Sequence, residues 1–317
     1  MKQSLFKVLK PGVLCLIQDS GRFGAFNIGL TNGGPIDKTA FNWANRLCSN
    51  DLNAPVIEIS IGGLALEAQT NQIIALTGAN MPLSINGQSK ALWQTHTVQT
   101  GDVIKLGYST KGIRSYLAVQ GGFQIEHSFN SASTVCRENI GGLNGTALQT
   151  HDELPVLNLD NNIKHKQFLL DKKHQPVYSN DITLRTISSY QHKQFNHIEK
   201  QKFYSSEYIV SQHINRMGYR LTGQKIQCNL KGILSEGICH GAAQIPQDGQ
   251  PIVLLNDRQT IGGYPKIGSV ISLDTEKLGQ LQAGAKVHFE EISMEEANNI
   301  FHLNHNLFLR TLLTLIK

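Results

Sequence analysis

Short aliphatic runs broken by glycine set the pattern of this chain. Val13-Leu-Cys-Leu-Ile17, Ile73-Ile-Ala-Leu76 and Ile252-Val-Leu-Leu255 are each bounded by polar residues, glycine or proline. Runs of that length, rich in β-branched and aliphatic residues, predict buried strands. Helical spacing shows in two places. Between Pro35 and Leu47, the residues Ile36, Ala40, Trp43, Ala44 and Leu47 recur at threes and fours, with Asp37 in the first turn. In the tail, Leu307-Phe-Leu-Arg-Thr-Leu-Leu-Thr-Leu-Ile316 predicts an amphipathic helix that docks on the body or on a partner. The chain reads as mainly β, with one short helical insert and a C-terminal helix.

The pattern also repeats. Arg22-Phe-Gly24, Glu58, Gly63 and the run from Ile73 recur in the same order as Arg216-Met-Gly218, Glu236, Gly241 and the run from Pro251. Glu58 to Gly78 and Glu236 to Asn256 each span 20 positions, so the copies align there without a gap. Gly101 before Asp102 then corresponds to Gly284 before Ala285. Ordered agreement over several glycines and strands predicts two copies of one β-rich unit. Arg22 to Glu58 spans 36 positions against 20 in the second copy, and the extra 16 residues hold the predicted helix. The expected organisation is a first β unit over 1–155, a polar linker or surface excursion over 156–181, a second β unit over 182–296 and a helical extension over 297–317. A chain of 317 residues is long enough for two such domains.

Composition narrows the partners. The formal charge of +5 is scattered along the chain and no basic stripe is interleaved with aromatics, which argues against nucleic acid. Five cysteines, none in a C-x-x-C spacing, point to free thiols and a reducing cytoplasm. Lys7, Lys10 and Pro11 interrupt the first apolar stretch, so no secretory signal, transmembrane span or membrane association is expected. The 12 histidines do not fall at ligand spacings, and no metal site is predicted. Neither a phosphate-binding loop, a dinucleotide fingerprint nor a G-x-S-x-G elbow occurs.

The densest chemistry lies in Asn256-Asp-Arg-Gln-Thr-Ile-Gly-Gly-Tyr-Pro265, directly after an apolar run. Asp257, Gln259, Thr260 and Tyr264 bring donors and acceptors beside Gly262 and Gly263, which let the backbone approach a ligand or take φ > 0. The stretch reads either as the rim of a site or as a polar β-turn. In the first copy, Asp19, Arg22 and Asp37 lie near glycine-rich turns that could cradle an anion, or Asp19 and Arg22 pair across a turn. In the second, Arg216 and Arg220 suit carboxylate or phosphate, with Glu236 and Gln244 adding an acid and an amide, unless Arg216 instead pairs with Glu236 as a strut.

Laid side by side, these segments resemble the Kip antagonist, or allophanate hydrolase subunit 2, family. The likeness runs from about Leu5 to Ala297 and is carried by Gln18-Asp-Ser-Gly-Arg22, Gly33-Gly-Pro-Ile-Asp37, Tyr116-Leu-Ala-Val-Gln-Gly-Gly122, Asn215-Arg-Met-Gly-Tyr-Arg-Leu221, Ser235-Glu-Gly237, Asp248-Gly-Gln-Pro-Ile252 and Asp257-Arg-Gln-Thr-Ile-Gly-Gly-Tyr-Pro265. It implies tandem cyclophilin-like β-barrel units. It also implies two partners, a Kip-inhibitor-like protein (the B component) and a lactam hydrolase-like protein (the A component), which complete an ATP-dependent 5-oxoprolinase. Two alternatives stand behind that first reading: half of a biotin-dependent carboxyltransferase that moves carboxylate from carboxybiotin to urea or another amide, and a non-catalytic regulator that captures a Kip-inhibitor-like protein. On this resemblance Asp257, Gln259 and Tyr264 orient an amide or lactam, Arg216 and Arg220 hold a carboxylate or phosphate, and Glu236 or Asp19 orders them. Asp19, Arg22, Asp37, Gln244, Thr260, Gly262 and Gly263 complete the expected substrate-binding set. The chain departs from the family at Ala132 and Thr146, where arginines are usual; each missing charge-assisted bond would weaken anion binding by about 1.5–3 kcal/mol.

Overall fold

The computed structural model describes residues 5–159, 166–230 and 232–316, so part of the expected excursion over 156–181 lies outside the described residues. The chain divides into two compact units. The first comprises Met1–Phe23, Gly33–Tyr178 and Leu312–Lys317, and the second Gly24–Asn32 and Ser179–Thr311. The short segment Gly24–Asn32 therefore belongs with the second unit although its neighbours in sequence do not.

In the first unit β1 (Leu5–Pro11), β2 (Leu14–Gln18), α1 (Lys38–Leu47), β3 (Val56–Ser60), β4 (Leu64–Ala68), β5 (Gln72–Asn80), β6 (Leu83–Ile85), β7 (Gln88–Lys90), β8 (Thr95–Val98), β9 (Val103–Leu106), β10 (Lys111–Val119) and β11 (Glu153–Pro155) build two sheets. Their orders are β11-β1-β4-β9-β6-β7 and β2-β3-β10-β5-β8. Val8, Leu66 and Ile104 from one sheet share a core with Ile59, Ile74 and Leu117 from the other. Full burial of each such side chain is worth about 1.5–3 kcal/mol. The predicted insert forms α1. Asp37 is its N-cap, accepting from the Ala40 N–H at 2.9 Å, and Ala40, Trp43, Ala44 and Leu47 are buried.

In the second unit the strands close on themselves. β12 (Phe168–Leu169) still belongs to the first unit; β13 (Asp181–Ser188), α2 (His197–Ser205), β14 (Tyr208–Ile214), β15 (Gly218–Gly223), β16 (Glu236–Gly237), β17 (Ala242–Gln244), β18 (Ile252–Leu254), β19 (Ile261–Gly262), β20 (Lys266–Val270), α3 (Ser272–Leu278), β21 (Lys286–Glu291) and α4 (Met294–Arg310) follow. Seven of these strands form a closed barrel in the order β13-β20-β17-β18-β15-β14-β21, with β13 and β21 running parallel at the closure. Closure leaves no unpaired sheet edge. Corresponding glycines of the repeat adopt matching geometry: Gly63 and Gly241 have φ of 87° and 80°, and Gly101 and Gly284 of 92° and 89°. A Cβ on Gly241 would lie 2.2 Å from the Val270 carbonyl oxygen, so no other residue fits there.

The tail differs from its sequence expectation. α4 begins earlier, at Met294, behind a capping box made by Ser293 and Glu296, and stops at Arg310. Thr314–Leu315 forms β22, which pairs with β12 in the first unit, so a backbone ladder replaces the last helical turns. Docking of the helix on the body is not what the structure shows: Ala297 is the residue it buries, whereas Phe301, Leu303, Leu307 and Leu309 are exposed. Among the described residues, no helix is long and apolar enough to cross a membrane.

Candidate functional site

Side chains of directly opposed residues on neighbouring antiparallel strands point to the same side of a sheet. On β15, β18 and β17 this puts Arg220 opposite Ile252 and Ile252 opposite Gln244. That row forms the floor of a cleft of about 560 Å³ in the second unit, walled by Asn215, Ile238, Arg258 and Gln259. Among the described residues, its lining holds two guanidiniums and three carboxamides but no carboxylate.

Gln244 is 5% exposed, and its amide nitrogen has no hydrogen-bond partner. A buried donor left open costs about 1–3 kcal/mol, which a ligand acceptor would recover. Gly262 makes room for it: a Cβ there would sit 2.5 Å from Ile238 Cδ1 and 3.3 Å from Gln244 Nε2. Neither Gly262 nor Gly263 takes a positive φ, so of the two roles expected for them Gly262 serves close approach. Arg258, 6% exposed, donates through Nε to the Ile238 carbonyl at 3.1 Å, through Nη1 to the Leu255 carbonyl at 3.3 Å and through Nη2 to Asn32 Oδ1 at 3.2 Å. The Phe26 ring lies under its guanidinium at 5.3 Å. Next to it, burial and then the Arg258 cation push His240 down to about 4, against a hydrogen bond with Asn256 that favours the charged form. His240 is therefore neutral at pH 7.

The expected site residues are distributed differently from their sequence grouping. Arg220, Gln244 and Gln259 line the cleft. Arg216 and Asp257 bind each other instead: Nε and Nη2 of the arginine meet the two carboxylate oxygens at 2.9 Å each, with both side chains under 10% exposed. Arg216 is thus not a strut to Glu236. Glu236 accepts from Gln191 at 2.9 Å and from Lys266 and Tyr190. Burial alone would raise its carboxyl, but these donors outweigh it and hold the group below its ordinary value. Tyr264, 47% exposed, lines a separate cleft of about 590 Å³ with Asp248, whose carboxylate pairs with Arg220. Thr260 is half-buried and lines neither cleft.

In the first unit the candidates are built into the interior. Asp19 is fully buried and accepts from the Ser131 and Ser133 hydroxyls and the Ala132 N–H at 2.6 Å each, and from the Gly21 N–H at 2.9 Å. Arg22 is not among its partners; it donates to the Ser128 and Ser133 carbonyls at 3.1 and 3.0 Å. Asp37 caps α1 and accepts from the Tyr178 hydroxyl at 2.7 Å. Ala132, where a family arginine is usual, is fully buried. Sequence reasoning missed Arg258, although it stands inside the stretch singled out for its chemistry. Nothing in the order of residues says which arginine takes the single nearby acid. Among the described residues, no group of three or more His, Cys, Asp or Glu side chains could hold a metal ion.

A model of the carboxyltransferase domain, subdomain A and B, matches residues 28–291, and the chain belongs to that family. It is similar to the 5-oxoprolinase C subunit of Escherichia coli (strain K12), 35% identical over 294 residues that span 92% of this chain and 93% of that protein. The 5-oxoprolinase C subunit of Haemophilus influenzae is 34% identical over 289 residues, 91% of each chain. In structure it is similar to the K. lactis urea amidolyase, with a TM-score of 0.89 and 25% identity over 97% of this chain but 20% of that one.

Proposed function

We propose that this chain is the C subunit of an ATP-dependent 5-oxoprolinase, which together with its A and B components converts 5-oxo-L-proline, ATP and water to L-glutamate, ADP and phosphate. The observation that carries the reading is the cleft on β15, β17 and β18, lined by Asn215, Gln244, Gln259, Arg220 and Arg258 and, among the described residues, by no carboxylate. Such walls bind and polarise a carbonyl; they offer no acid to serve as nucleophile. Gln244 donates its open amide N–H to the lactam oxygen, and Gln259 and Asn215 orient the ring. Asp257 acts behind the wall by fixing Arg216, while Tyr264 and Asp248 face the second cleft. ATP is a substrate of the assembled complex. A triphosphate carries several negative charges, against Arg258 and an Arg220 already paired with Asp248, so the nucleotide is assigned to the other two components.

Coexpression of the three components with ATP and 5-oxoproline tests this directly. Glutamate and ADP should appear in step and only when this chain is present. A purified ternary complex that makes neither above background would overturn the proposal.

A second reading is favoured by the family match and by the structural likeness to urea amidolyase: half of a biotin-dependent carboxyltransferase. The same donors suit the carboxylate and ureido oxygens of carboxybiotin. Calorimetry with a biotinylated carrier protein separates the readings, because heat of binding that free 5-oxoproline does not abolish favours the second.

A further inference from the structure

Arg258 is a buried cation whose every bond goes to a neutral oxygen. Arg114, Arg185 and Arg216 each have an acid within reach, Glu58 at 3.8 Å, Asp274 at 2.8 Å and Asp257 at 2.9 Å. Arg258 instead meets two carbonyls and the Asn32 amide oxygen, on the face of Phe26. A buried charge without a counter-charge is held at a cost that neutral hydrogen bonds only partly offset. Three of the five N–H groups of a guanidinium are used by these bonds, and two remain. The side chain lies on the wall of the cleft that Gln244 floors, where the second open donor sits. His240 beside it is neutral and supplies no counter-charge. Among the described residues, nothing in the cleft lining supplies one either.

We infer that Arg258 is the anchor for a ligand carboxylate, with Gln244 reading an amide or lactam oxygen on the same molecule. The ligand class is a small monocarboxylate that carries a neighbouring amide. The inference rests on the cleft being the substrate site, as proposed above, and adds which side chain selects the anion. Arg220, bound to Asp248 at the rim, serves entry rather than anchoring.

The test uses N-acetylglycine, which has both groups, N-methylacetamide, which lacks the carboxylate, and inorganic phosphate, each titrated into the full-length protein. The His240 imidazole, observed by NMR, is the reporter. A carboxylate on Arg258 cancels the field that helps hold His240 near 4, so its titration should move towards the ordinary 6.5 when N-acetylglycine binds and stay in place with N-methylacetamide. Arg258→Gln should weaken N-acetylglycine roughly ten- to hundredfold and leave N-methylacetamide unchanged. Should that variant fail to fold, Gln244→Met, which removes no existing bond, should weaken N-acetylglycine several-fold while the His240 response persists. An unmoved His240 in the wild-type protein overturns the assignment, as does unchanged binding in Arg258→Gln. Tighter binding of phosphate than of N-acetylglycine overturns the ligand class. If N-acetylglycine binds as expected yet the ternary complex makes no glutamate, the oxoprolinase reading fails and the anchor stands.

Discussion

Replacing Asp257 with alanine should unfold the second unit far more readily than a typical surface change, because the structure commits that carboxylate to Arg216. Two charge-assisted bonds of 2.9 Å join the pair, and their side chains are 6% and 9% exposed, so water cannot take over the vacated positions. Each such bond contributes about 1.5–3 kcal/mol. Removing one partner leaves a buried guanidinium without its acid, and measured losses for that situation run about 3–5 kcal/mol. We expect a loss in that range for Asp257→Ala, which for a unit of this size lowers its melting temperature by on the order of 10 °C. Removing both charges with shape-matched apolar residues, Arg216→Met with Asp257→Leu, should restore most of it. Both tryptophans, Trp43 and Trp93, lie in the first unit, so their fluorescence serves as an internal control. Hydrogen exchange at the β18 amides in urea reads the second unit. A change within about 1 kcal/mol at β18 for the single variant would refute the reasoning, and Asp257 would return as a candidate for direct substrate contact.

Acid should weaken the second unit through His240. Its folded value of about 4 lies below the ordinary 6.5, so the native state refuses a proton that the unfolded chain accepts. The contribution is complete above 6.5 and is lost as the pH falls towards 4, at most about 2 kcal/mol between about pH 7 and pH 5. Urea midpoints of β18 exchange at the two pH values check this, and a pH slope that His240→Gln leaves unaltered would remove the assignment. Gly262→Ala places a methyl 2.5 Å from Ile238 Cδ1 and 3.3 Å from Gln244 Nε2. Overpacking of about 1–3 kcal/mol and weaker N-acetylglycine binding should follow together, measured by calorimetry. An alanine variant of full affinity would show that Gln244 does not face the ligand.

The order of residues carried the fold class and the repeat because both are periodic. Within the gap-free match of Glu58–Gly78 to Glu236–Asn256, Gly63 and Gly241 share a left-handed backbone, which is why side chains are barred there. The insert helix was equally local, although Asp37, expected in its first turn, is the N-cap one residue ahead of it. The tail was less legible, since the apolar spacing of Leu307–Ile316 suits a helix while the choice to pair Thr314–Leu315 with Phe168–Leu169 depends on a strand far away in the chain.

Site chemistry followed the same division. Local composition pointed to the stretch from Asn256 to Pro265 as dense in functional groups, and that much needed only the residues themselves. Which group faces the cleft depended on pairing between distant strands. β15, β17 and β18 bring Arg220, Ile252 and Gln244 into one row, Asp257 is taken by Arg216 from 41 positions away, and Arg258 next door keeps neutral partners only. Sequence determines the inventory of charges and donors. Tertiary structure decides which of them meet, because only folding brings groups distant in sequence, such as Arg216 and Asp257, within bonding distance and out of water.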